Sequence, residues 1–92
     1  MTMSGRIVKG HKTLYQADFA DAIGQSASFH DKLENCLINL CRGADIPVPI
    51  WLSKNTTELA RFRRTSFNKD QFAEAVAFDR FEIKIIGNVN EM

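Results

Sequence analysis

The sequence predicts an α+β domain: one main amphipathic helix packed on a small antiparallel sheet, with short accessory helices over the remaining edges. Three observations predict it. Residues 28–43, SFHDKLENCLINLCRG, repeat their apolar side chains at helical spacing. Residues 79–86, DRFEIKII, alternate apolar and charged side chains at the period of a half-buried strand. Between them, two prolines and a series of capping pairs divide the chain into short segments.

Taken in order, residues 1–5 (MTMSG) carry no apolar pattern and read as a loose tail, as do residues 88–92. That leaves one domain over residues 6–87. Residues 6–12, RIVKGHK, contain the β-branched pair Ile7 and Val8 and read as a strand weakened by Gly10. Residues 13–23 fit either a continuation of that strand or a short helix. The stripe Leu14, Tyr15, Phe19, Ala22 and Ile23, with Gly24 as a stop, favours the helix.

The main helix is expected over residues 28–42. At about 100° per residue, Phe29, Leu33, Cys36, Leu37 and Leu40 fall within one stripe, with Asp31, Lys32, Asn35, Asn39 and Arg42 opposite. Ser28 with Asp31 makes an N-terminal cap, and Gly43 follows the last periodic residue as a terminator. Pro47 and Pro49 exclude a helix from ADIPVPIWLSKN and argue against a central strand. This most apolar short run is expected to be an extended connector crossing the core, or an edge segment.

Asn55 with Glu58 suggests a cap for a short helix near residues 56–64, with Leu59 and Phe62 sharing a face. Thr65 to Phe67 reads as a break. Asn68 with Gln71 caps a second short helix near residues 69–77, whose apolar face is Phe72, Ala75 and Val76. Residues 79–86 close the fold as a strand with Phe81, Ile83 and Ile85 inward. Two strands alone are marginal, so a third strand, or pairing across a dimer, is expected.

Composition narrows the function classes. With 45% hydrophobic and 25% charged residues over 92 positions, the chain reads as a folded domain. Seven phenylalanines in so short a chain must be buried or face a partner. The formal charge of +1 is spread evenly over both halves, which disfavours a long sequence-independent hold on DNA. Cys36 and Cys41 stand about 140° apart on a helix and cannot bridge each other, so both read as reduced, packed thiols. Reduced thiols and the lack of any apolar run of membrane length suggest a cytoplasmic protein without a membrane partner.

Catalytic machinery is sparse. His30 lies beside Asp31, and His11 sits in a polar turn between Gly10 and Lys12. Asp18 with Asp21, and Glu74 with Asp79, have ordinary surface spacings. No phosphate-cradling glycine loop, zinc spacing or nucleophile elbow is present, and no cofactor is implied. Two features remain. Ile50 and Trp51 in the proline segment, with Ile38 on the polar side of the main helix, hint at a partner-binding seam. Arg61, Arg63 and Arg64, beside Phe62 and Phe67, could grip phosphates and stack on bases. The expected function is therefore a small non-enzymatic interaction or regulatory module that self-associates as a homodimer or joins a protein partner. A weak nucleic-acid binder using Arg61, Arg63 and Arg64 is the alternative.

Overall fold

The computed structural model describes residues 1–21 and 26–86. Its elements run β1 (Thr2–Lys9), β2 (Lys12–Ala20), α1 (Phe29–Ala44), α2 (Ser53–Phe62), β3 (Arg64–Asn68) and β4 (Arg80–Ile85), with one 3₁₀ turn at Lys69–Gln71. The strands form one antiparallel sheet in the order β2-β1-β4-β3. The α+β class and the antiparallel sheet are as the sequence predicts. The accessory elements differ.

The first difference lies at the start of the chain. Residues 2–5, read as part of a tail, are the first half of β1, where Met3 is fully buried. Gly10 does not weaken a strand but turns the chain: with φ 59 it takes the first place of a two-residue hairpin turn between Lys9 and Lys12. Residues 13–20, read as helical, then return as β2, and Gly24 and the end of that reading lie outside the described residues. Tyr15, Ala17 and Phe19 alternate inward at period two; Leu14 misled the pattern because it is the residue where the register slips. Ile7 opposes Tyr15, the next pair is Val8 with Thr13, and Leu14 bulges out, 53% exposed.

The main helix starts as predicted, with Ser28 Oγ accepting from the Asp31 N–H at 3.1 Å. It ends at Ala44, one residue beyond Gly43. Asp45 takes the left-handed cap at φ 58 and donates to the carbonyls of Arg42 and Cys41. Leu33, Cys36, Leu37, Leu40 and also Cys41 are buried, because the 46–51 connector covers the flank that the sheet does not. Phe29, expected inside, is 57% exposed at the helix's first turn.

Residues 65–67 are not a break but the middle of β3, with Thr65 and Phe67 inward. The helix near residues 69–77 is reduced to the 3₁₀ turn, capped by Asn68 as read. Phe72 past it packs edge-on to Phe78 with ring centroids 5.3 Å apart. Strand β4 matches its prediction, and Phe81, Ile83 and Ile85 carry the centre of the core. Gly5 lets α1 approach the sheet: a methyl group there would lie 3.1 Å from Phe81 and 3.3 Å from Leu40. Both helices cover one face of the sheet, α1 over β1 and β2, and α2 beside β3. Among the described residues, no helix covers the other face.

Candidate functional site

Two surfaces follow from this architecture. Between α1, α2 and the proline segment runs an apolar groove of about 520 Å³. Helix α1 contributes Phe29, Leu33, Leu37 and Ile38 to it; α2 contributes Thr56, Leu59 and Ala60. The connector supplies the third wall through Val48, Pro49 and Trp51. Proline suits that wall: it has no N–H to leave unpaired, so Pro49 is buried without losing a donor. Among the described residues, the ionisable groups on the rim are His30 and Glu34 of α1.

Trp51 belongs to both core and groove. Its ring lies 5.6 Å from that of Phe67 at 58°, and its indole Nε1 donates to Thr56 Oγ1 at 2.8 Å. Of the residues singled out in the sequence, the structure brings Ile38 and Trp51 into this groove. Ile50 lies outside it: its N–H donates to the Gln71 carbonyl and its carbonyl accepts from Gln71 Nε2. Phe29 and Val48, which the sequence did not mark as partner-binding, are the most exposed apolar residues of the groove, at 57% and 48%.

A buried amide fixes the third wall. Asn55, read from sequence as a cap residue, sits one turn inside α2 and is fully buried. Its Oδ1 accepts from the Leu52 N–H at 2.9 Å and Gln71 Nε2 at 3.0 Å. Its Nδ2 donates to Thr65 Oγ1 at 2.7 Å and to the Ser66 carbonyl at 3.0 Å. One side chain thus ties the end of the connector, α2, β3 and the 3₁₀ turn together with every donor and acceptor used. The Thr65 hydroxyl in turn donates a hydrogen bond to Glu58 Oε1.

The second surface is the open face of the sheet, a shallow polar concavity of about 610 Å³. The arginine run is split around it. Arg61 lies over the Phe62 ring at 5.5 Å, and Arg63 takes the left-handed cap of α2 at φ 61. Arg64 opens β3 on this face, directly opposite Lys84 of β4. The next row places Arg6 opposite Glu82. Arg6 Nε donates to Glu82 Oε1 at 2.9 Å and Arg80 Nε to Oε2 at 2.6 Å. Partial burial alone would raise the Glu82 carboxyl; the hydrogen bonds and charges of Arg80 and Arg6 outweigh it and hold it below the usual carboxylate range.

The remaining reactive groups are dispersed. His11 is exposed in the hairpin turn, remote in the chain from His30 at the groove rim. Burial pushes the Cys41 thiol up to about 12; burial and the Asp21 carboxylate raise Cys36 as well. Both are free. Among the described residues, no cluster of His, Cys, Asp and Glu converges on a metal position, and no helix is long and apolar enough to cross a membrane. Compared with family models, curated proteins and solved structures, the chain matches none of them.

Proposed function

We propose that this chain is a protein-interaction module, not a catalyst, and that its apolar groove docks a second copy of itself. The observation that carries the reading is the pairing of a hollow with protruding apolar side chains on the same patch. Phe29 and Val48 stand at the rim about half exposed, beside a groove floored by Leu33, Leu37 and Trp51. A two-fold contact requires such a self-complementary surface, in which each copy offers both knob and hole. Trp51, anchored by Thr56 at the groove floor, is the type of residue that dominates binding energy at the centre of an interface. A formal charge of only +1 leaves little repulsion between copies.

Light scattering coupled to size-exclusion chromatography tests it. At tens of micromolar the expected mass is twice the 10.4 kDa of the chain, falling to the single-chain value on dilution with a red shift of Trp51 emission. Val48→Asp, at an exposed site, places a charge in the seam and is expected to give the single-chain mass with an unchanged circular dichroism spectrum. A wild-type chain that stays at 10.4 kDa, or a Val48→Asp variant that still dimerises, rejects the reading.

A further inference from the structure

The open sheet face holds an arrangement that folding alone does not favour. Arg64 and Lys84 are direct cross-strand partners, both exposed, and neither has a carboxylate within ion-pair distance among the described residues. Like charges placed opposite each other in an antiparallel pair cost stability. Beside them in the same row of the sheet stands Ser4, opposite Lys84, and the next row brings Ser66 and Arg6. Arg6 is diagonal to Lys84 across β1 and β4, a separation of about 7–8 Å for such neighbours. Glu82 lies between, but it is already held by both Arg6 and Arg80. Arg6, Arg64, Arg80 and Lys84 thus face outward against Asp18 and Glu82, with Glu58 at the wall of the concavity, and the excess is still positive. Phe62, 57% exposed, lines the same concavity as an aromatic wall.

We propose that this face binds single-stranded nucleic acid, with the Arg64–Lys84 pair on one phosphate and Phe62 against a base. The chemistry is a fit of charge and shape. An unpaired arginine and lysine side by side take one phosphodiester better than two separated cations would, arginine presenting its planar fork and lysine a compact charge. Serine hydroxyls from neighbouring strands can donate to the same oxygens. An open concavity on the sheet admits such a strand, and an aromatic ring at its wall stacks on a base without choosing a sequence. The site keeps Arg64 of the arginine run and replaces Arg61 and Arg63 with Lys84, which the sheet register supplies.

Fluorescence anisotropy with a labelled oligothymidine at low salt tests this. The expected result is saturable binding that weakens with salt, and an affinity about tenfold lower in the double variant Arg64→Gln with Lys84→Gln. The slope of log affinity against log salt should flatten in that variant by about 0.7, the share of one phosphate contact on a single strand. Both positions are exposed, and circular dichroism confirms that the variant folds; removing the repulsion should leave its melting temperature equal or higher. An unlabelled duplex and polyglutamate serve as competitors. Absence of binding at tens of micromolar overturns the proposal. So does equal affinity of the double variant, or displacement by polyglutamate as effective as by unlabelled oligothymidine, which would make any acidic chain an adequate ligand.

Discussion

Replacing Asn55 with alanine should remove a large part of the fold's stability. The side chain is fully buried and makes four hydrogen bonds, to the Leu52 N–H, Gln71 Nε2, Thr65 Oγ1 and the Ser66 carbonyl. At a net contribution of about 1 kcal/mol each, their loss comes to about 4 kcal/mol. Gln71 retains the Ile50 carbonyl as a partner and Thr65 retains Glu58, so the orphaned groups do not raise that figure greatly. A 92-residue chain is held by about 5–14 kcal/mol in all, so the variant keeps a reduced margin. With an unfolding entropy of about 0.2 kcal/mol/K for this length, the melting temperature should fall by about 20 °C. Urea titration followed by Trp51 fluorescence and far-ultraviolet circular dichroism measures both. Asn55→Asp separates the two halves of the amide, because it keeps the acceptors and loses the donors. It should also be destabilised, because the Thr65 hydroxyl and the Ser66 carbonyl lose their donor. A loss below about 1 kcal/mol for Asn55→Ala would refute the view that this amide joins the connector to the sheet.

Two further outcomes follow from the core. Gly5→Ala pushes a methyl group against the Phe81 ring and Leu40, at 3.1 and 3.3 Å, and should cost about 1–3 kcal/mol by thermal melting; a variant as stable as the native chain removes the close approach as the reason for glycine. Cys36 and Cys41 should both resist a thiol reagent at pH 8 in the folded protein and react in urea. With Cys41 pushed up to about 12, its thiolate fraction there is on the order of one in ten thousand, and rapid stoichiometric labelling would contradict the burial.

The parts of the fold legible in the sequence are those whose information is local. Helix α1 and strand β4 each carry a full period of apolar residues and their own caps or alternation, so short-range spacing suffices. Strand β2 was obscured by Leu14, whose exposure comes from a bulge that only the pairing with β1 creates. Strand β3 hides because it is five residues long and opens on the end of an arginine run. The site divides the same way. Trp51 and Ile38 could be marked as unusual in the sequence, but the groove that joins them depends on α2 standing across from α1. The Arg64–Lys84 pair could not be read at all, since it rests on the register between β3 and β4.

The order β2-β1-β4-β3 makes the sheet two hairpins joined along one seam, where Met3 meets Ile85 and Ile7 meets Phe81. Every other strand contact is made between neighbours in the chain, whereas this one closes a loop of more than seventy residues. Chain entropy opposes that closure until Phe81, Ile83 and Ile85 are buried by it. Neither hairpin can complete a core by itself, so partly folded forms have little to stabilise them. The seam should make folding slow to start and cooperative once begun, and a chain released before β4 emerges would hold an open β1 edge ready for the wrong partner.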